Sequence, residues 1–262
     1  MKGKVAIITG SSQGIGKTLA VELAKKGAKV VLNGRNGDRL NVTHQSLLAQ
    51  GFDMVAVQGD ISNHADCQKL INSTIEHYGK IDILVNNAGL SMEGEIETLA
   101  PDTLKKIMEV NVLGSVYPTQ LALPQIKATK GNILFISSLA GIHGLPNFSA
   151  YSASKMALSA LAESLKIELS GTGVHVGIAY VGFTENDPQK TFYNANGELE
   201  VLPKRQNVKV EAVEKVAQRL IRKIEKRKFK TTFSTLGKLL SVINRISPSL
   251  VERILSTNYR NK

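Results

Sequence analysis

Short apolar segments alternate with longer helix-like segments over the first 180 residues, and this alternation constrains the fold more than any other feature. The apolar segments are rich in β-branched residues and are predicted to be strands, at 5–9, 29–33, 53–58, 81–86, 132–137 and 175–180. Segments with helical spacing lie between them, at 15–26, 39–50, 64–78, 101–127 and 151–170. Strands joined by helices of this length form βαβ units, so we expect a parallel sheet covered by helices on both faces. The sequence therefore predicts an α/β fold with a doubly wound domain, whose ligands bind at the carboxyl ends of the strands.

The composition is that of an ordinary globular protein. The 262 residues are 42% hydrophobic and 21% charged, so global disorder is not expected. The single cysteine, Cys67, allows no intrachain disulfide and is consistent with a reducing compartment. The apolar stretch at the amino terminus is too short for a secretory signal core or a membrane span. A cytoplasmic location is expected, with peripheral membrane contact as an alternative.

Positive charge is concentrated in the carboxyl-terminal part of the chain. Residues 204–262 contain 16 Lys/Arg and 4 Asp/Glu, whereas residues 1–203 contain 17 and 18. The regular pattern also loosens after the last predicted strand, where prolines and glycines favour a long mobile loop over 184–208. We therefore predict one large domain over 1–230 and a basic, amphipathic helical extension over 231–262.

A glycine-rich turn, Thr-Gly-Ser-Ser-Gln-Gly-Ile-Gly over 9–16, follows the first predicted strand. Glycines there permit a tight turn and a close approach of the backbone to a pyrophosphate. The next helix presents free N–H groups and the positive end of its dipole to the anion. The predicted phosphate-binding residues are Gly10, Ser12, Gln13, Gly14, Ile15 and Gly16. The spacing resembles the TGxxxGxG signature of the short-chain dehydrogenase/reductase family, and the resemblance implies a Rossmann-type fold and a nicotinamide cofactor.

The end of the second predicted strand indicates which nicotinamide cofactor is preferred. An acidic residue there would accept the adenosine ribose hydroxyls of NAD and would repel a 2′-phosphate. This chain has Gly34 at that position, followed by Arg35, whose guanidinium can pair with a phosphate. NADP(H) is therefore favoured over NAD(H).

Two further motifs resemble the family along the predicted cofactor groove. Asp60 and Ile61 follow the third strand, where the family has an acidic residue that contacts the adenine. The fourth strand is followed by Asn-Asn-Ala-Gly over 86–89, which matches the NNAG element of the family. The resemblance implies that Asn87, Ala88 and Gly89 support the cofactor.

Tyr151 and Lys155 are four residues apart, on one face of a predicted helix. A phenol with a pKa of about 10 is a weak acid–base catalyst near neutral pH, but a neighbouring ammonium favours the phenolate. Lowering the pKa of the phenol by about 3 units requires roughly 4 kcal/mol, which a close charge in a partly desolvated site can supply. The pair alone is a weak signal, because Tyr and Lys at this spacing usually lie on an exposed helix surface.

Ser138 follows the fifth predicted strand, so its hydroxyl and Tyr151 can both reach the carboxyl edge of the sheet. A hydroxyl there can donate to a developing alkoxide. The segment around Ser138, followed by Tyr151 and Lys155, resembles the catalytic segment of the family, and the whole resemblance covers roughly residues 4–187. It implies that Tyr151 is the acid–base and Ser138 orients the carbonyl. Lys155 would tune Tyr151 and bind the nicotinamide ribose next to it, and Asn111 would complete a proton relay.

The segment after the sixth predicted strand departs from the family pattern. The family commonly has Pro-Gly there, followed by a threonine near the nicotinamide carboxamide, whereas this chain has Val181, Gly182 and then Asn186. Asparagine can still hydrogen-bond a carboxamide. Gly182 and Asn186 are therefore predicted to contact the cofactor from a changed loop.

The tail over 233–259 mixes apolar and basic positions, and three interpretations of it stay open. In the first, the apolar stripe of the tail packs on the body of the protein or on a partner subunit. In the second, the tail rests on an anionic membrane. In the third, its charge binds nucleic acid, although the sequence has no nucleic-acid recognition motif. In general character the tail resembles those of lipid- and steroid-handling family members such as 3-ketosphinganine reductases. The resemblance implies a hydrophobic, lipid-like or polycyclic substrate and a homodimer or homotetramer. The loop over 184–208 is interpreted as a lid.

Taken together, these motifs predict an NADPH-dependent oxidoreductase that interconverts a ketone and a secondary alcohol, with no metal site. Two alternatives are a non-catalytic NADP(H)-binding sensor and a scaffold bound to a membrane or a partner. The complete set of Asn111, Ser138, Tyr151 and Lys155 argues against the sensor.

Overall fold

The computed structural model describes residues 1–185, 187–188, 190–203 and 210–260, and it confirms the predicted α/β fold. The strands are β1 (Val5–Ile8), β2 (Lys29–Gly34), β3 (Met54–Gln58), β4 (Ile83–Asn86), β5 (Asn132–Ser138), β6 (His175–Val181), β7 (Thr191–Tyr193), β8 (Leu199–Val201) and β9 (Lys230–Thr232). Within the described ranges, seven of them form a parallel sheet in the order β3-β2-β1-β4-β5-β6-β9.

The helices between these strands cover both faces of the sheet. They are α1 (Gly14–Lys25), α2 (Gly37–Leu48), α3 (His64–Tyr78), α4 (Pro101–Met108), α5 (Gly114–Ala128), α6 (Ser149–Glu168), α7 (Val213–Glu225), α8 (Thr235–Ile246) and α9 (Pro248–Arg260). A π-helical turn, Glu109–Leu113, joins α4 to α5, and a 3-10 turn, Leu139–Gly141, follows β5.

Alternating residues of the central strands enter two separate cores. Ala6 and Ile8 of β1 pack with α1, α2 and α7, whereas Ile7 packs with α3, α5 and α6. Because both faces are covered, the whole of β1 is buried, as expected for a parallel sheet. Strand β1 pairs with β2 on one side and with β4 on the other, so the order reverses there. Carboxyl ends at such a reversal form a crevice suited to a ligand.

The structure corrects the prediction of a long loop over 184–208 for its middle part, residues 191–201, whereas residues 186, 189 and 204–208 lie outside the described residues. Strands β7 and β8 pair antiparallel within it, and Gly197, at φ +84°, lies in the turn between them. The hairpin is hydrogen-bonded to the segment before α4, since Tyr193 exchanges backbone bonds with Ser91 and Glu93. The proline and glycine content was interpreted as a loop signal, but short β-branched and aromatic runs between those residues form strands.

The basic extension folds into two helices that pack back on the domain. Strand β9 precedes them and pairs in parallel with Ile178–Tyr180 of β6, which the sequence did not predict. Strand β9 spans residues 230–232, so it crosses the domain boundary that was predicted between residues 230 and 231. The boundary itself stays a prediction. No helix in the described part of the chain has the combined length and apolar character needed to cross a membrane.

Candidate active site

The turn between β1 and α1 requires glycine at two positions. Gly10 has φ +61°, and a Cβ added there would lie 2.7 Å from the Cα of Ala88. A Cβ at Gly16 would lie 2.4 Å from the carbonyl oxygen of Gly10 and 2.5 Å from Nδ2 of Asn87. No side chain fits at these distances, so the turn lies directly against the loop that follows β4. Gly14, at φ +54°, faces open space.

Hydrogen bonds hold the loop after β4 against this turn. The Thr9 hydroxyl accepts the N–H groups of Asn87 and Ala88 at 3.0 and 3.1 Å. Asn87 Nδ2 donates to the carbonyls of Thr9 and Gly10 at 2.9 and 3.0 Å. Asn87 and Ala88, predicted from the resemblance as cofactor contacts, therefore also fix the shape of the glycine turn.

The N-terminus of α1 is suited to an anion. Gln13 precedes the helix in an extended conformation, and no side chain caps the first N–H groups. Such N–H groups and the helix dipole together attract phosphate. Ser12 is fixed by a bond from the Thr43 hydroxyl to its carbonyl at 2.9 Å, and Ile15 packs against the core. The predicted phosphate-binding residues thus form one continuous turn.

Glycine and arginine side by side mark the end of β2. A Cβ at Gly34 would lie 3.0 Å from the hydroxyl oxygen of Ser12, so a larger side chain there would press on the turn. Arg39, on α2, donates to the side-chain carbonyl of Gln13. A guanidinium that the sequence analysis did not single out therefore lies at the same edge of the turn.

Asp60 lies beside Arg35 and is held as a carboxylate. Its Oδ1 accepts the N–H and hydroxyl of Ser62 at 2.9 and 2.6 Å, and Oδ2 lies 3.8 Å from Nη1 of Arg35. Burial raises the pKa of Asp60, but the Ser62 bonds and the charges of Lys106 and Arg35 outweigh it, so the pKa lies below its ordinary value. Ile61 beside it is buried.

Ser138 ends β5 and differs in environment from Ser137. The Ser138 hydroxyl oxygen accepts the N–H of Ala140 at 3.3 Å, and its proton has no acceptor among the described residues. Ser137 is buried and donates to the backbone carbonyl of Lys155 at 3.1 Å. Of the two serines, Ser138 is the one with a donor available to a ligand.

Lys155 is buried one helical turn after Tyr151 on α6. Its Nζ donates to the carbonyl of Ile136 at 3.1 Å and lies 5.7 Å from the centre of the Tyr151 ring. A Cβ at Gly89 would lie 3.2 Å from this Nζ, so the loop after β4 is close by. Burial, with a contribution from the charge of Lys190, lowers the pKa of Lys155 to about 8.

Asn111 is fully buried in the π-helical turn and ties two parts of the site together. Its Oδ1 accepts the N–H of Leu90 at 2.7 Å, and its Nδ2 donates to the Leu90 carbonyl at 3.0 Å and to the Ser154 hydroxyl at 2.8 Å. Ser154 in turn donates to the carbonyl of Tyr151 at 2.7 Å. Both polar atoms of the Asn111 side chain have protein partners, and its role in a proton relay stays a prediction. Single π-helical turns occur frequently at functional sites.

The extension borders the site on the side of β6. A Cβ at Gly182 would lie 3.2 Å from the hydroxyl oxygen of Ser234, which caps α8. Asn244 of α8 contacts this region through both ends of its side-chain amide. Its Oδ1 lies 2.8 Å from Nδ1 of His143, and its Nδ2 donates to the Ile142 carbonyl at 2.9 Å. Asn186, the other predicted cofactor contact in this region, lies outside the described residues.

A groove of about 500 Å³ lies between the loop after Ser138, α6 and α9. Its apolar lining includes Leu145, Pro146, Met156 and Leu255. Within the described ranges, no group of three or more His, Cys, Asp or Glu side chains is placed to hold a metal ion.

Sequence reasoning missed several residues that shape this site. They are Thr9, Arg39, Ser154, Ser234 and Asn244. Thr9 is the first residue of the glycine-rich turn, and this position was a local signal. The others act through contacts between segments far apart in the chain, which no local pattern reveals.

Comparison with known proteins gives consistent matches. The family model described as short chain dehydrogenase matches residues 4–196. The "11-beta-hydroxysteroid dehydrogenase-like 2" of Arabidopsis thaliana is 36% identical over 259 residues, covering 97% of this chain and 80% of that protein. The "11-beta-hydroxysteroid dehydrogenase 1A" of the same plant is 38% identical, covering 79% of this chain and 60% of that protein. The "3-ketodihydrosphingosine reductase" of Bos taurus is 32% identical, covering 92% and 74%. The chain thus spans only part of each relative's length.

Solved structures resemble the fold over most of the chain. An alcohol dehydrogenase from the archaeon Thermococcus sibiricus, complexed with 5-hydroxy-NADP, has a TM-score of 0.76 and 26% identity, covering 88% of this chain and 95% of that one. A short chain dehydrogenase/reductase from Burkholderia phymatum, in complex with NAD, has a TM-score of 0.83 and 24% identity, covering 95% of both chains. The second likeness concerns the fold alone.

Proposed function

The chain belongs to the short-chain dehydrogenase/reductase family of oxidoreductases, and from this membership we propose that it interconverts a ketone and a secondary alcohol with NADP(H), using Tyr151 as acid–base. The observation that carries the proposal is the pairing on α6. The buried ammonium of Lys155 lies 5.7 Å from the Tyr151 ring, at the carboxyl edge of the sheet where Ser138 ends β5.

The turn after β1 fits a dinucleotide. Its glycines leave no side chain between the turn and the loop after β4, and the N-terminus of α1 is uncapped. Gly10, Gly14 and Gly16 would bring the backbone close to a pyrophosphate, whose charge the helix N-terminus attracts. When bound, the nicotinamide supplies or accepts the hydride.

The side chains at the carboxyl edge would handle the proton. In the direction of reduction, the Tyr151 hydroxyl donates its proton to the carbonyl oxygen of the substrate, and Ser138 donates a hydrogen bond to the same oxygen. The Lys155 ammonium favours the phenolate that remains, by direct Coulomb attraction. Asn111 positions this pair, because its bond to Ser154 is linked to the carbonyl of Tyr151.

The preference for NADP(H) rests on the end of β2. Gly34 provides no carboxylate to repel a 2′-phosphate. Arg39 is held at the glycine turn by Gln13, and Arg35 directly follows Gly34 and lies 3.8 Å from Asp60. Two guanidinium groups at this edge favour a phosphate through charge-assisted bonds. The solved structures similar to this chain include complexes with 5-hydroxy-NADP and with NAD, and a comparison of NADPH with NADH tests the preference.

The proposed substrate is hydrophobic, long-chain or polycyclic. The relatives are named for hydroxysteroids and for a ketosphingoid base. The groove beside His143 includes apolar side chains that would suit part of such a molecule. It lies next to the site without being lined by Ser138, Tyr151 or Lys155. We also propose that the protein acts as a homodimer or homotetramer, as implied by the family resemblance.

The test is the rate of NADPH and NADH oxidation over ketones of graded size, from short ketoesters to long-chain and steroid ketones. We expect turnover that favours NADPH, rises with the hydrophobicity of the ketone and falls at least about a hundredfold in Tyr151→Phe, as for loss of a general acid. The variant should still bind NADPH, because the change removes one hydroxyl.

Two results would contradict the proposal. Tight NADPH binding without turnover on any ketone would favour the sensor alternative. Undiminished turnover in Tyr151→Phe would assign the proton transfer to another group.

A further inference from the structure

Helix α8 exposes a continuous apolar stripe. Leu236, Leu239, Val242 and Ile246 are 63%, 56%, 56% and 79% exposed, and their spacing places them on one side of the helix. The adjacent helix α9 adds two further exposed apolar side chains, Leu250 and Ile254. Six such side chains on adjacent helices form a surface far more apolar than scattered exposed residues would. We name it the C-terminal stripe.

Contacts on the opposite side of the two helices hold the stripe outward. A Cβ at Gly237 would lie 2.4 Å from Leu139 Cδ2, so this side of α8 is in close contact with the domain. Asn244 is bonded to the loop after Ser138, and Val251 of α9 is buried. The two helices therefore present the stripe in a fixed orientation, without needing to unfold.

Basic side chains lie along the stripe. Lys238 and Arg245 follow each other along one flank of α8, and Arg253 lies beside the stripe on α9. A groove of about 410 Å³ between α7, β9 and α8 adds Lys228 together with the hydroxyls of Thr231 and Ser241. Arg219 and Lys230 also line this groove but are already paired with carboxylates.

The ammonium groups of Lys228 and Lys238 have no acidic partner among the described residues. Neither forms an ion pair within 4.0 Å in that part of the chain, although both line the same groove. Hydroxyls and free ammonium groups together suit a phosphate oxygen. The groove opens beside Val242 of the stripe, so a phosphate there would be attached to whatever covers the apolar side chains.

Charge distinguishes between a second copy of the chain and a membrane as the occupant of this surface. A second copy would bring the same basic flank against the first, and residues 204–262 carry 16 basic and only 4 acidic side chains. The rest of the chain, with 17 and 18, offers little compensating attraction. An anionic bilayer satisfies both features, because its acyl region takes the stripe and its phosphates take the lysines.

We propose that α8, α9 and the adjoining Lys228–Lys238 groove form a docking surface for an anionic membrane, on which the protein rests without crossing it. Both helices would lie in the plane of the interface. This proposal does not depend on the catalytic one, since vesicle binding is measured without turnover.

The experiment is co-sedimentation of the full chain with vesicles of phosphatidylcholine, with and without phosphatidylserine. We expect binding to the anionic vesicles only, weakened at high salt as headgroup attraction is screened. Leu239→Glu with Val242→Glu should lower the partition coefficient at least about tenfold, because each apolar side chain contributes on that order. Val42→Glu, at a similarly exposed position on α2, is the matched control and should bind as the unchanged protein does.

A second variant tests the charge separately from the apolar stripe. Lys238→Gln with Arg245→Gln removes two positive charges, and each is expected to lower binding to anionic vesicles about fivefold. Both variants change exposed side chains, and their thermal unfolding should match that of the unchanged protein.

Three outcomes would overturn the proposal. The first is no binding to either vesicle type, and the second is equal binding by the unchanged and Leu239→Glu/Val242→Glu proteins. The third is concentration-dependent self-association that the same variant abolishes, in the absence of vesicle binding, which would identify a second copy as the occupant.

Discussion

The proposed chemistry depends strongly on Lys155, because it requires the charged ammonium form. The side chain is buried, and burial disfavours that form. The side chain is 5% exposed, and one carbonyl, that of Ile136, accepts from its Nζ. Burial lowers the pKa of Lys155 to about 8, and the charge of Lys190 contributes. The ammonium thus loses its proton close to the physiological range, which an exposed lysine does not do.

The affinity for NADPH should therefore depend on pH through Lys155. Ribose hydroxyls favour the ammonium, so affinity is fully present below about pH 8 and is lost as the pH rises through that value. We expect the Kd to increase by up to about tenfold per pH unit above it. Arginines remain charged over this range and add no slope. The measurement is the fluorescence of bound NADPH, titrated at several pH values.

Lys155→Met is the control for this titration. It keeps a side chain of similar length in the buried position and removes the titrating group. Its Kd should be larger and should not change between neutral and moderately alkaline pH. A Kd of the unchanged protein that is constant over the same range would contradict the assignment of the ribose contact to Lys155.

At the scale of elements, α8 is the part of the extension that contacts the segments following β5 and β6. It contacts Gly182 through Ser234, Leu139 through Gly237 and the Ile142 carbonyl through Asn244. These contacts fix the two segments that leave β5 and β6 at the carboxyl edge. The helix is therefore expected to set the shape of the substrate side while leaving the glycine turn untouched.

Gly237→Ala tests this role. A Cβ there would lie 2.4 Å from Cδ2 of Leu139 and 2.7 Å from Cγ2 of Thr232, so these side chains or α8 itself must shift. Overpacking of this kind costs about 1–3 kcal/mol. We expect a lower Tm and a raised KM for the ketone, with the Kd for NADPH unchanged.

Gly144→Ala is the matched control, since a Cβ at Gly144 meets nothing within 4 Å. It lies in the loop after Ser138 and should leave the Tm close to that of the unchanged protein. If Gly237→Ala raised the Kd for NADPH and left the KM for ketone unaltered, α8 would belong to the cofactor side instead.

The sequence predicted the elements that have a periodic pattern and missed those that lack one. All six predicted strands and the helices between them are present, because burial on both faces imposes a continuous apolar run. Strands of three residues, such as Lys230–Thr232, are too short for a period and form through pairing with a distant strand. The π-helical turn Glu109–Leu113 was also hidden, since its residues continue the helical spacing of their neighbours.

The side chains of the site also divide into those that a local pattern predicts and those that it does not. Ser138, Tyr151 and Lys155 were predicted at one edge because Ser138 ends a strand and the other two share a helix face, and the family resemblance supplied their roles. Arg39 and Ser154 were not, because their partners come from other segments. The strands, helices and sequence motifs are thus predictable from local sequence patterns. The contacts that hold the motifs in place join segments far apart in the chain, so no local pattern predicts them.

For the molecule as a whole, the buried bases and the net charge act on stability in the same direction. Lys223 is 3% exposed, with its Nζ bonded to the Phe229 carbonyl at 2.8 Å. Burial, with the charge of Lys228, lowers its pKa to about 7, and burial chiefly lowers the pKa of His175 to about 4. These groups and Lys155 bind fewer protons in the folded chain than in the unfolded chain, His175 between about pH 4 and 6.5 and the two lysines above about pH 7. The formal net charge of +11 at pH 7 adds general repulsion, which declines as the pH rises.

We therefore expect the free energy of unfolding to increase from about pH 7 to about pH 9, whereas most proteins are most stable between about pH 5 and pH 8. A base with a depressed pKa destabilises the fold below its folded pKa, and this cost disappears as the pH rises toward its unfolded value. Each fully titrating group contributes up to about 1.4 kcal/mol per pH unit. Urea unfolding at a series of pH values measures the slope, which Lys155→Met and Lys223→Met should each reduce, whatever their effect on absolute stability. A stability maximum near neutral pH, or a slope unchanged in both variants, would show that neither lysine is neutralised in the folded protein.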